Sequence, residues 1–183
     1  MNHSLVETLE TTSIYLPRSM LISDVRPLTQ LEKLFTIELP EGVSLHHRPG
    51  QFVEVSVLGV GEAPISISSS PSRSNTSFEL CVRRTGRLTN ALHALGPGDL
   101  IGIRGPFGNG FSVERFRGKD MLFAPGGLGL APLRSLINEV LDDRGNYGRV
   151  MILYGARHPS ELLFIEELDH WKTREEVELH LSV

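Results

Sequence analysis

The segment Ala124-Pro125-Gly126-Gly127-Leu128-Gly129-Leu130-Ala131-Pro132 stands between a continuous apolar run, Met121 to Ala124, and apolar residues at helical spacing, Leu133, Leu136, Ile137, Val140 and Leu141. It reads as a glycine-rich turn that leads from a buried strand into an amphipathic helix. Pro132 suits the first turn of that helix and Gly145 its end. Glycines here permit a tight turn and let a ligand approach the backbone. The helix start that follows offers unpaired N–H groups to an anion such as a pyrophosphate. In this strand-to-helix setting a phosphate role is favoured over a bare structural turn.

Toward the C terminus, a second apolar run, Val150 to Tyr154, precedes a helical pattern that opens at Ser160 as N-cap and carries Phe164, Leu168 and Trp171 on one stripe. Val177, Leu179, Leu181 and Val183 then form a third strand pattern. The order β-α-β-α-β is the first half of a doubly wound α/β sheet. Toward the N terminus the grammar changes to short β-type runs separated by Pro/Gly turns: Met20 to Val25, Lys33 to Leu39, Phe52 to Val57, Ile65 to Ser68, Phe78 to Arg83 and Leu100 to Arg104. Val53, Val55 and Val57 alternate with polar neighbours, as do Phe78, Leu80 and Val82, so one face of each strand can be buried. This spacing predicts a small antiparallel β-barrel. The expected division is a tail over 1–15, the barrel over 16–117, and the first half of an α/β domain over 118–183.

The chain has 183 residues and a net charge of −4, with no basic stripe interleaved with aromatics, which argues against nucleic-acid binding. No apolar run reaches the ~20 residues that span a bilayer, and the first residues are too polar for a signal peptide, so a cytoplasmic protein without membrane insertion is expected. The single cysteine, Cys81, can form no internal disulfide, and one thiol is too few for an iron–sulfur cluster. His46 and His47 have no further ligand at metal spacing; they read as solvated loop histidines, and no metal site is expected.

Two further segments invite a chemical reading. Thr85-Gly-Arg-Leu-Thr-Asn90 precedes a short helical stretch, Ala91 to Leu95, and Thr89 is placed to cap it while its hydroxyl and neighbouring amides meet a phosphate; a plain capped helix fits equally well. In Glu62-Ala-Pro-Ile-Ser-Ile-Ser-Ser-Ser-Pro71 the alternation sets Ser66 and Ser68 on one side and Ile65 and Ile67 on the other, a row of hydroxyls suited to a polar cofactor edge or to a solvated face.

Taken in order, these segments resemble the ferredoxin-NADP reductase superfamily, in which a flavin-binding barrel precedes a nicotinamide-nucleotide domain. The stretches GQFVEVSV, GEAPISISSSP, CVRRTGRLTNAL, RGPFGNGF, APGGLGLAPLRSL and YGARHPSELLFIEEL are most similar to the gamma subunits of cytoplasmic hydrogenases and the B subunit of anaerobic sulfite reductases. Electron-transfer subunits of dihydroorotate dehydrogenase are more distant relatives. Where the family carries Arg-x-Tyr-Ser, this chain has Ala63-Pro64-Ile65-Ser66, so only the serine is kept.

The resemblance implies that FAD lies along Pro64, Ile65, Ser66 and Ile67, then Cys81, Val82 and Arg83, and then Gly86, Leu88, Thr89 and Asn90. Ser66 would be the catalytic-position residue at the reactive flavin edge. Without the family arginine, phosphate binding would lean on Arg83 and the amides of Gly86 to Asn90; without the tyrosine, an aromatic platform is lost. NAD or NADP would occupy Gly126, Gly127, Leu128, Gly129, Ala131 and Pro132, with Gly155 and Arg157 near the ribose. Arg157 suits a 2′-phosphate but is also common among NADH users, which leaves NAD against NADP open.

The expected activity is therefore that of an NAD(P)H-dependent flavin oxidoreductase subunit that moves electrons between the nicotinamide nucleotide and an iron–sulfur or other redox partner, a partner or catalytic subunit being expected. The alternative is a non-catalytic flavin or nucleotide module that docks on or regulates a redox partner. The resemblance further implies an incomplete reductase, short of a family length of roughly 270 to 290 residues, with any [2Fe–2S] cluster in the missing C-terminal segment.

Overall fold

The structure, a computed structural model, describes residues 14–183; most of the expected tail lies outside the described residues. Alternating apolar residues form six antiparallel strands: β1 (Arg18–Pro27), β2 (Glu32–Glu38), β3 (Phe52–Val57), β4 (Gly61–Ser66), β5 (Ser77–Arg83) and β6 (Leu100–Phe107), with the helix α1 (Arg87–His93) between the last two. Their order in the sheet is β4-β3-β6-β1-β2-β5. Ile22, Phe35, Ile37, Val53, Val55, Phe78, Leu80, Ile101 and Ile103 point inward and form one core, on which Leu92 of α1 closes. The turn before β3 needs glycine at Gly50, where φ is +83° and a Cβ would collide with the Phe111 ring.

The expected barrel is present as a curled sheet whose ladder does not close. The edge strands β4 and β5 share no ladder; where the chain leaves β4 it meets β5 through the bridge Ile67–Leu80, the Ser68 amide donating to Glu79 O (2.8 Å) and the Glu79 amide donating to Ser69 Oγ (3.0 Å). The strand expected at Ile65 to Ser68 accordingly lies earlier, at Gly61–Ser66. By Ile67 the chain has left β3, and residues 68 to 70 turn toward the second domain.

That domain runs β7 (Met121–Phe123), α2 (Leu130–Asp142), β8 (Val150–Gly155), α3 (Ile165–Lys172) and β9 (Val177–Ser182), with a parallel sheet ordered β7-β8-β9. Leu130, Ile137, Val140, Leu141, Ile152, Tyr154, Leu168 and Trp171 fill its core. Burial of each such side chain contributes about 1.5–3 kcal/mol. Leu34 and Cys81, paired across β2 and β5, belong to this second core, so the outer face of the barrel is the floor on which the α/β domain sits.

Several expectations need correction. Helix α3 does not open at Ser160: Pro159–Glu161 is an isolated turn, and Phe164 caps α3 in the left-handed region at φ +54°. Burying both Leu163 and Phe164 requires that break, and the Tyr154 hydroxyl holds it by accepting the Leu163 amide (3.1 Å). Helix α2 ends at Asp142, and Gly145 lies in the following turn. His46 is exposed as expected, whereas His47 is buried, with Nε2 3.0 Å from Ser69 O. Burial pushes its pKa below the usual histidine value.

Candidate functional site

Between the two domains lies a cleft of about 620 Å³, lined on the barrel side by Leu31 and Arg83 and on the other by Gly126 to Gly129, Gly155 to Arg157 and Glu161. The volume falls within the range of ligand pockets, ~300–1,000 Å³. The structure brings the nucleotide turn and the Gly155–Arg157 turn together, and places beside them Arg83, which the resemblance assigns to the flavin phosphate.

The glycine turn is built for approach from outside. Gly126 (φ −123°) and Gly129 (φ −60°) have backbone conformations open to any residue, and a Cβ at either would meet nothing within 4 Å. Neither packing nor strain therefore demands glycine there. At Gly127 the left-handed φ of +50° does favour it. The Leu128 amide has no hydrogen-bond partner among the described residues, whereas the Gly127 amide faces Gly155 O in the parallel bridge between Gly126 and Gly155, and the Gly129 amide is bonded to Gly126 O (2.9 Å). Tyr154 Oη donates to Gly127 O (3.3 Å) and braces the turn from below. A bare amide at the start of α2, unobstructed by side chains, suits a pyrophosphate. Ala131 is buried on the domain interface, and Pro132 stands in the first turn of α2.

On the barrel side, Ser66 ends β4 half-buried and opposite Phe52, with Pro64 exposed and Ile65 half-buried beside it. The hydroxyl of Ser66 has no partner among the described residues. Gly86, rather than Thr89, is the N-cap of α1, and a Cβ at Gly86 would meet nothing. Thr89 sits inside the first turn, where its hydroxyl accepts the amides of Thr85 and Gly86 (both 2.9 Å) and donates to Gly86 O (3.1 Å). Those bonds consume the hydroxyl expected to face a phosphate; Thr89 shapes the turn instead. Asn90 is exposed and Leu88 half-buried against the barrel core. Three further residues expected at the flavin have their side chains elsewhere: Ile67 and Val82 fill the barrel core and Cys81 the second core. Burial pushes the Cys81 thiol up to about 12.

Arg83 is ion-paired with the buried Glu32, which also binds the Thr29 hydroxyl, so this guanidinium is held at the cleft wall. Arg157 is exposed and has no ion pair among the described residues. Among the same residues no group of three His, Cys, Asp or Glu side chains is placed to hold a metal ion, and no helix is long and apolar enough to cross a membrane.

The sequence reading missed what joins the halves. Ser68, expected either at a polar cofactor edge or on a solvated face, lies at neither: it donates to Ala131 O (3.0 Å), and Ser135 donates to Ser69 O (2.7 Å). Arg134, only 6% exposed, binds Glu79 (2.6 Å) and Ser68 O (3.1 Å) on the barrel and Glu167 (2.7 Å) on α3, with its guanidinium 4.6 Å from the Phe164 ring centre. Burial opposes its charge, but Glu167 and Glu79 together raise its pKa above the usual arginine value. The available signal was Arg134 four residues after Leu130 and three before Ile137, on the buried stripe of α2.

Comparison with known proteins follows the same division. The sequence pattern of the oxidoreductase FAD-binding domain matches residues 20–111, and that of the oxidoreductase NAD-binding domain matches residues 123–182. The gamma subunit of sulfhydrogenase 1 from Pyrococcus furiosus is 46% identical over 157 residues, covering 84% of this chain and 53% of that one. A probable electron transfer subunit of dihydroorotate dehydrogenase B (NAD(+)) from Methanothermobacter thermautotrophicus is 44% identical over 123 residues, covering 67% and 43%. The chain spans about half the length of these relatives. Among solved structures, the flavohaem-like FAD/NAD-binding domain of the Vibrio cholerae nitric oxide dioxygenase superposes with a TM-score of 0.78 at 20% identity, covering 91% of this chain and 73% of that one, and shares the fold.

Proposed function

The chain belongs to the ferredoxin-NADP reductase-like FAD- and NAD-binding oxidoreductases, and from that premise we propose that it is an electron-transfer subunit which binds FAD on the barrel and NADH or NADPH on the α/β domain, passing electrons to or from an iron–sulfur or other redox centre of a partner subunit. The observation that carries this reading is the glycine turn Gly126–Gly129, free of any packing reason for its glycines, facing Arg83 across the interdomain cleft. FAD supplies the chemistry that couples a two-electron hydride donor to one-electron acceptors.

The chain's own residues do the rest. The free amide of Leu128 and the start of α2 hold the dinucleotide pyrophosphate, and Arg157 lies on the side of the ribose. Gly86 and the first turn of α1 give the flavin pyrophosphate an unobstructed seat, with Arg83 on the adjoining strand as a cationic partner, and Ser66 presents its unpaired hydroxyl to the flavin edge. The gamma-like similarity supports a hydrogenase-type complex in the cytoplasm, with the partner supplying the electron acceptor. Ala63 and Ile65, standing where the family has arginine and tyrosine, favour a second reading in which the chain binds flavin loosely and serves as a docking module.

Flavin fluorescence on titration with FAD, followed by anaerobic addition of NADH or NADPH, separates the two. Quenching and then bleaching of the visible flavin absorption are expected. A protein that binds FAD but is bleached by neither nucleotide is the docking module, and one that binds no FAD is neither.

A further inference from the structure

We propose that Ser68, Arg134 and Ser135 form a polar clasp that fixes the separation between Ser66 at the flavin edge and the nucleotide turn Gly126–Gly129. They are positioning residues for the electron transfer. The inference rests on the flavin and nucleotide assignment made above.

One turn of α2, Ala131 to Ser135, is bonded to the residues that leave β4. Ser68 Oγ donates to Ala131 O (3.0 Å), Arg134 Nη1 donates to Ser68 O (3.1 Å) and Ser135 Oγ donates to Ser69 O (2.7 Å). All three side chains are buried, so water is not available to replace a lost bond, and each loss strands a buried polar group. The place of the clasp in the chain gives it its consequence. Ser66 precedes Ser68 by two residues and Gly129 precedes Ala131 by two, and two residues reach at most about 7 Å. Little slack separates either ligand segment from the clasp.

Arg134 extends the tie to both flanks, to Glu79 on β5 and to Glu167 on α3. A plain interface would be served by apolar packing of the kind Leu34 and Cys81 supply nearby. A directional set of hydrogen bonds instead fixes register, and a displacement of about 1 Å between reacting groups lowers rates as much as ~100-fold.

The test uses the Ser68→Ala/Ser135→Ala double variant and Arg134→Lys, each in two measurements. In the first, spin labels on cysteines introduced at the exposed Leu58 and Asp169 report the interdomain distance without any ligand, Cys81 being buried and unlabelled. In the second, rapid mixing of the FAD-loaded protein with saturating NADH or NADPH reports the rate of flavin bleaching, with both dissociation constants and the melting temperature measured alongside. The expected result is a broadened distance distribution together with at least a tenfold slower bleaching rate, about the effect of a sub-ångström to 1 Å misplacement, while both dissociation constants stay within about threefold of the starting protein. An unchanged distribution overturns the clasp, whatever happens to the melting temperature. So does a broadened distribution with an unchanged saturating rate. If the unaltered protein is bleached by neither nucleotide, the functional assignment fails, and the distance measurement still decides whether the clasp sets the spacing.

Discussion

Replacing Gly129 by alanine separates what the fold needs from what a ligand needs. Gly129 has φ −60° and ψ −14°, already helical, and a Cβ there would meet no atom within 4 Å. The methyl group therefore introduces no strain and restricts the unfolded chain, so Gly129→Ala is expected to stabilise the protein by about 0.4–1 kcal/mol. That corresponds to a rise of about 1–4 °C in melting temperature for a chain of this size. The same methyl stands in the cleft at the start of α2, where the dinucleotide pyrophosphate must come close. Losing one charge-assisted hydrogen bond to an N–H costs about 1.5–3 kcal/mol, or roughly a 10- to 150-fold weaker dissociation constant. Differential scanning calorimetry and a fluorescence titration with NADH and NADPH measure the two effects, with flavin content as the control. A rise in stability with unchanged nucleotide affinity would falsify the idea that this glycine is kept for a ligand. Gly127 is the weaker probe, because its positive φ makes any side chain unfavourable and both quantities would fall together.

Gly86→Val should weaken FAD binding at least tenfold, as an obstructed phosphate seat implies, while the poorer N-cap lowers stability by only about 1 kcal/mol; equal affinity for FAD would remove Gly86 from the site. Arg157→Ala should lower kcat/KM for NADPH more than for NADH, because only the former offers a 2′-phosphate to the unpaired guanidinium; loss of that charge-assisted contact corresponds to about 1.5–3 kcal/mol. Equal losses with both nucleotides would place Arg157 away from the ribose. His47 gives a pH signature. Its folded pKa lies below the ordinary value of 6.5, chiefly through burial, so its contribution to stability is complete above pH 6.5 and is lost as the pH falls toward the folded pKa. The melting temperature should fall across that window, and His47→Gln, which keeps a donor for Ser69 O, should flatten the fall; an identical pH profile in the variant would shift the effect to the other buried or paired groups, such as His93.

The two-domain order, the strand and helix types and the glycine turn were legible in the sequence because each rests on local rules: alternation for half-buried strands, 3.6-residue spacing for helices, and glycine where a strand turns into a helix. The pairing of the Gly126–Gly129 turn with the Gly155–Arg157 turn came from the family resemblance, and it agrees with successive strands lying side by side in a parallel sheet. Tertiary structure decided which of the polar residues face a ligand and which face protein. Ser66 and Ser68 share a strand pattern, yet the chain leaves the sheet between them and Ser68 goes to the interface. Cys81 alternates outward from the barrel core, but outward here means into the second core. Arg134 looks like a charge misplaced on an apolar stripe until Glu79 and Glu167, 55 and 33 residues away, are brought to it. Local periodicity records only which residues leave water. What they meet there depends on segments distant in the chain, and the free energy of a buried polar group is set by those partners.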